Sequence, residues 1–560
     1  MRNITPVIPT RAVPVYTYAH MKQLVGLIAL AVVGCGGGNA EGTTTTTGAG
    51  SAAVKPGAAG DVSFEVPGIE VKGVVFEPEA LGRPGMPLVD SKQKTTIEKQ
   101  RTVFANTKDP VQKEAQAAIL ATLLYRKSKD ATGEEQTKLL TEARQALRDA
   151  AAVSGDKADE VTLRLLGSYE LILEDYPAAE KSWGQLVTLS PKDKDALTNR
   201  AWWAYSLLKE SKNAEALAAV KEQPLSDKTP ELAYVTSWAK WRSGDNAGAW
   251  QAIVLTARGW GTTANKDVVD RDVLLFAGRA GGPLNETVAT LSPIYGKTKE
   301  NQYELLAKLG LQAYQFAGRW QEGVQSIDKA IEVEGDKVPA NDKPVLRYTQ
   351  ADYTVRLDDP VAAAKFAKLA IEALPLCGTK CSDKDKENVV ESVYIMGRLF
   401  HILYATAHDD RYFEPATDLY NMSVPLITMN DAVRVEATKD QANLAATFKG
   451  MKAGYGTHDA PAIGALLKRH NQEVQACYEQ ALSANPKLTG TLTVNLEADN
   501  TGAIKGVSTD PKGGLQDLAM VASCTAERAK HWTLPKRANG TGAPSKTRIK
   551  LGYTLSAAKK

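Results

Sequence analysis

At 560 residues the chain exceeds what one ordinary hydrophobic core encloses, so two or more domains are expected. Its 43% hydrophobic and 24% charged composition belongs to a folded chain rather than a disordered one. The 68 basic and 65 acidic residues leave a net charge of +3, which argues against nucleic acid as the main partner, because phosphate binding needs a basic excess.

The first readable element is an address. Met21-Lys22-Gln23 precedes the apolar run Leu24 to Val33, and Gly34-Cys35-Gly36 follows. A basic start, an apolar run too short for the ~20 residues of a bilayer-spanning helix, and a small residue before a cysteine form a secretory signal of the lipoprotein kind. The resemblance implies cleavage after Gly34 and acylation of Cys35, giving a signal peptide over 1–34. Gly36, in place of an aspartate, resembles the sorting default for the outer membrane. Residues 1–20 carry Pro6, Pro9 and Pro14 without helical period, so Met21 is an alternative start. Residues 35–60, rich in Gly, Thr and Ala, build no core and suit a flexible tether. Residues 61–96 alternate loosely from Asp61 to Glu77 and then meet Pro78, Pro84 and Pro87; they read as short strands or an extended arm.

From Ile97 to Gly450 the period becomes helical. Leu163 to Pro191 is the best-defined unit: two helical patterns meet at a break at Glu174-Asp175, Gly167 and Ala179 allow close backbone approach, Trp183 and Leu186 supply bulk, and Pro191 ends the unit. The small residue opening the second helix recurs at Ala214 and Ala249, each 35 residues after the last. Similar units run through Gly310, Trp320 and Gly323, and through Ala363 to Pro375; 267–293 is weaker. This pattern resembles the tetratricopeptide (TPR) repeat, with departures in the missing first-helix Trp and in the spacing after Ala249. A helical pair of this length cannot bury its own apolar face and must stack on copies, so the expected fold is mainly α, a TPR-like α-solenoid whose surface binds peptides or proteins.

Of five cysteines, four remain once Cys35 is set aside. Cys377-Gly-Thr-Lys-Cys381 lies just past Pro375 in an expected loop; a stapling disulfide is favoured over free thiols or metal. His401 and His408 share a helical face, where solvated or core roles are commoner than metal binding. After a linker over 451–462, residues 463–560 follow the order α-β-β-α-β, a small α+β domain. Cys477-Tyr478-Glu479, Asn485-Pro486-x-Leu488-x-Gly490, the strand pair around Gly502, Cys524 and Trp532-x-x-Pro535 resemble the C-terminal domain of the AgmX/PglI family, a TonB-C-like module of gliding-motility proteins. Leu534, where an aromatic is usual, and a last strand without its proline depart from that family. A Cys477–Cys524 disulfide is expected, and closing that loop would stabilise the domain by roughly 4 kcal/mol.

The chain contains no phosphate-binding loop, no dinucleotide fingerprint, no H-E-x-x-H and no G-x-S-x-G. The expectation is therefore a protein with no catalytic residues, cofactor or metal: an envelope lipoprotein scaffold, lipid-anchored and facing the periplasm, that binds other envelope proteins through its array and through edge-strand pairing at the terminal domain. The combination resembles the TPR lipoproteins of the myxobacterial adventurous gliding machinery (the AglT/GltE type). An assembly or pilotin-like lipoprotein for outer-membrane proteins or pili is the alternative.

Overall fold

The computed structural model describes residues 62–558 apart from 79–80, 82–87, 90–94, 193–194, 261–265, 408–409, 451–463, 465–466, 468, 500, 514 and 535–545. The signal peptide, Cys35 and the tether lie outside the described residues, as do the linker, His408 and Pro535.

Strand β1 (Val62–Gly73) comes first. Three helices follow, α1 (Ile97–Asn106), α2 (Pro110–Ser128) and α3 (Gly133–Ser154). Their starts are local chemistry: the Thr96 hydroxyl accepts from Lys99 N, and Asp109 accepts from Gln112 N beside a proline at the first helical position. Helical pairs then stack in series: α4 (Glu160–Ile172) with α5 (Tyr176–Leu189), α6 (Ala196–Lys209) with α7 (Asn213–Val220), and α8 (Pro230–Arg242) with α9 (Asn246–Trp260). The weak stretch of sequence becomes α10 (Lys266–Arg279) and α11 (Leu284–Tyr295), which do not close on each other; α10 packs instead between α9 and a π turn at Leu309–Tyr314. That π turn continues α12 (Lys299–Lys308), which pairs with α13 (Trp320–Glu334). The pairs α14 (Asp342–Arg356) with α15 (Pro360–Cys377) and α16 (Asp383–Ala407) with α17 (Phe413–Ser423) complete the series, and α18 (Asp431–Gly450) packs on the last.

Five of the tight turns inside these pairs share one geometry. Glu174, Ser211, Gly244, Gly318 and Asp358 adopt left-handed backbone, with φ between 56° and 90°. In each, the next amide reaches back to the carbonyl five residues earlier, as from Asp175 N to Glu170 O and from Arg319 N to Tyr314 O. This is the Schellman closure, which satisfies helix-end carbonyls and reverses the chain.

Between the helices, small residues set the approach. A Cβ on Gly167 would stand 2.6 Å from the Trp183 indole nitrogen, one on Gly310 2.7 Å from Ile327, and one on Gly323 2.5 Å from Tyr353. Ala179 and Ala363 are fully buried and Trp183 nearly so. Pro375 sits inside the last turn of α15, which runs two residues further to Cys377. Pro191 falls two residues past the end of α5.

The terminal domain comprises α19 (Asn471–Ala484), β2 (Gly490–Ala498), β3 (Ile504–Gly513), α20 (Leu515–Ala529) and β4 (Thr547–Ala557). Helix α19 starts at Asn471, with Arg469 and His470 in the turn before it. The sheet order is β1-β4-β2-β3. Of the expected short strands or extended arm over 61–96, Val62–Gly73 is a strand, and it belongs to the C-terminal sheet, parallel to β4, placing Ile69 and Val71 in that domain's core. One continuous apolar cluster joins this core to the last helical pairs, α14 to α18. Cys477 and Cys524 are bonded across α19 and α20, with Cα atoms 5.7 Å apart, and Cys377 is bonded to Cys381 around a 3-10 turn at the end of α15.

Candidate functional site

The ends of the first helices in the pairs form a row of backbone carbonyls, and the chain answers them with long side chains. Arg242 Nη1 donates to Leu208 O at 2.7 Å, and Arg319 Nη1 donates to Ala277 O at 3.3 Å and to Gly281 O at 2.9 Å. The other three answers come from the terminal domain. Gln480 Nε2 donates to Trp241 O at 3.1 Å, Arg528 Nη1 to Ala317 O, and Arg469 Nη1 to Val355 O at 2.8 Å. Cationic and amide donors at helix C-termini complement the negative end of the helix dipole. The terminal domain is thus seated along the row of turns.

Two charged clusters hold the seam. Arg279 and Glu479 form an ion pair with both side chains 5% exposed, and the Arg279 guanidinium lies 4.9 Å above the Phe76 ring. The Glu479 carboxylate also accepts from Val74 N at 3.1 Å, and Ser483 Oγ accepts from Phe76 N at 3.2 Å, so the chain leaving β1 is fastened to α19. It is fastened to the array as well, through Lys209 to Glu77 at 3.0 Å. At the second cluster, the buried Glu473 carboxylate accepts from Trp320 Nε1 at 3.1 Å and Trp532 Nε1 at 2.8 Å, and its Oε1 lies 2.7 Å from His470 Nδ1. The His470 ring stacks on Trp532, 4.6 Å between centroids. Burial pushes the Glu473 carboxyl up, but the His470 imidazole, the hydrogen bonds from His470 and Trp532, and Arg528 outweigh it and hold the group below the usual glutamate range. Burial lowers the Arg528 guanidinium to about 10. Gly318 makes the fit possible: a Cβ there would stand 2.5 Å from Glu473 Cγ.

The second candidate is an open groove near the front of the array. Leu163, Glu180, Lys181, Gly184, Leu189 and Trp203 line it. The Trp203 indole rests over Gly184, where a Cβ would stand 3.2 Å from Nε1, and Leu189 is 49% exposed.

Residues singled out in the sequence divide between these places. Gly167, Ala179, Trp183, Gly310, Gly323 and Ala363 lie at helix–helix contacts and shape the array. Cys477 and Cys524 hold α19 to α20, and so support the seam. Cys377, Cys381, Pro191 and Pro375 take no part in either candidate. His401 stands alone beside Tyr420, 3.2 Å from its hydroxyl, and burial lowers its pKa. Among the described residues no group of three or more His, Cys, Asp or Glu side chains could hold a metal ion, and no helix is long and apolar enough to cross a membrane. The seam itself was missed. The contacts between its two sides join residues more than a hundred apart, which no local pattern announces. β1 fills the side of β4 away from β2, and β1 and β3 are the edge strands of the sheet.

The described elements define the class: a TPR-like helical-repeat protein carrying a small α+β domain. No family model matches the chain, and no curated protein matches it. Among solved structures, one titled "Structure of Naa15/Naa10 bound to HypK-THB" is similar over 70% of this chain and 70% of that chain, at 14% identity and a TM-score of 0.22. The assignment of class rests on the helical pairs and not on that likeness.

Proposed function

We propose that this protein is a non-enzymatic cell-envelope lipoprotein that scaffolds protein partners through its helical array. The observation that supports it best is the open groove around Trp203, with an indole, an exposed leucine and charged neighbours on stacked helices. Such arrays present extended surfaces to other chains. The Met21–Cys35 pattern would supply a lipid at Cys35, holding the chain to the outer membrane and facing the periplasm. The resemblance to TPR lipoproteins of the gliding machinery, with an AgmX/PglI-like terminal domain, makes a motility complex the favoured setting.

Affinity isolation from detergent-solubilised envelopes, read by mass spectrometry, tests this. The native chain is expected to recover a defined set of envelope proteins, motility components among them, and Trp203→Ala is expected to lose part of that set without losing the fold. Recovery of secretin or barrel subunits alone would turn the reading to an assembly role. A Cys35→Ser chain that still partitions fully into membranes would overturn the anchor.

A further inference from the structure

We infer that the β1–β4 pair is a mechanical clamp that diverts tension between the two ends of the chain away from the helical array. Four observations carry this. First, β1 opens the described chain and β4 closes it, and the two are direct neighbours. Second, they run parallel, from the pair Val62 and Thr547 to the pair Gly73 and Ala557. The incoming end of β1 and the outgoing end of β4 therefore lie at opposite ends of the ladder. Tension on the two ends pulls the strands past each other in shear, and the evenly spaced bonds of a parallel ladder share it. Were the strands antiparallel, the same tension would peel the bonds one at a time.

Third, the register is reinforced on both faces. Phe64, Val66, Ile69 and Val71 pack on the domain core, while Glu65 and Lys550 pair across the solvent face at 2.9 Å. The bulge at Pro67-Gly68 divides the ladder into two runs without reversing it. Fourth, the chain beyond β1 is fastened on both sides, to α19 through Val74 and Phe76 and to the array through Glu77. Every helical pair lies in the chain between β1 and β4, so none carries tension until the ladder ruptures. Rupture under force is governed by the unfolding barrier and not by equilibrium stability, and shear across a ladder raises that barrier. The use of such a clamp, protecting an anchored scaffold from being unravelled, rests on the reading of Cys35 as a tether; the clamp itself does not.

The test is single-molecule pulling on the full-length chain with reactive side chains introduced at positions 61, 546 and 558. Handles at 61 and 558 load the ladder in shear; handles at 61 and 546 load the same two strands at one end and unzip them. The expected result is a rupture force several-fold higher for 61/558, with no lengthening before rupture and release of the array only after it. Equal forces in the two geometries, or stepwise lengthening by helical pairs before rupture, would overturn the clamp. Both measurements use the same folded chain, and neither depends on whether a lipid is attached.

Discussion

Glu473 concentrates the chemistry of the seam in one side chain. An ionised carboxylate taken out of water is costly unless its lone pairs are filled and its charge is answered. Here two indole N–H groups and an imidazole fill them, from three separate stretches of the chain. A folded-state pKa below the ordinary 4.5 means the group binds its proton less readily when folded. Its stabilisation is present above that ordinary value and is lost as the pH falls through the lower, folded value. Protection of α19 amides against hydrogen exchange, corrected for intrinsic rates, is therefore expected to fall in acid. Glu473→Gln should lower it at neutral pH and flatten its dependence on pH; an unchanged acid profile in the variant would place the titration elsewhere. None of this was legible beforehand. Glu473 reads in sequence as one more helical carboxylate, and Trp320 and Trp532 read as repeat and domain bulk, because what distinguishes them is a meeting that only the assembled fold arranges.

The turns show what a sequence does disclose. The breaks at Glu174, Gly244, Gly318 and Asp358 are marked by glycine, aspartate or a following proline, and each became a left-handed closure. Gly167, Gly310 and Gly323 were legible as sites of close approach because a repeat that must stack needs small residues opposite large ones. The pair α10/α11 was blurred in sequence and is open in the fold, its role partly taken by the π turn of the next unit. The partners of the helix-end carbonyls were hidden, since Gln480, Arg528 and Arg469 reach them from another domain. Gly318 tests the two demands separately. Gly318→Ala should cost about 1–2 kcal/mol for left-handed backbone, and more because its Cβ meets Glu473. Gly244→Ala sits in the same left-handed closure with only Met520 Sδ near, at 3.9 Å, so it should cost only the backbone share. Chemical denaturation of the two variants makes the comparison, and equal losses would show that Gly318 does not gate the seam.

At the level of the whole molecule, the apolar clusters divide the chain unequally. Helices α2 to α4 share one core, α4 to α12 a second, α12 to α14 a third, and the last pairs share theirs with the terminal domain and β1. Deleting residues 62–73 should thus cost hydrogen-exchange protection in β4, α19 and the last pairs together, while α2 to α5 keep theirs. Loss confined to β4, or loss spread evenly through α2 to α5, would contradict this division. The alternation in 61–77 announced a strand, but a strand's partner cannot be read from its own residues when hundreds of others intervene.

That separation also orders events in time. The first described strand pairs with the last, so at about 5–20 residues per second β1 waits roughly half a minute to a minute and a half for β4. Meanwhile the stacked helices, whose contacts are local, have time to form. Closure of the sheet then follows formation of the pairs, and a chain cut short before β4 leaves β1 without its partner. Such an unpaired strand is a ready mark for chaperones and proteases, so the fold carries its own check that β4 has been made.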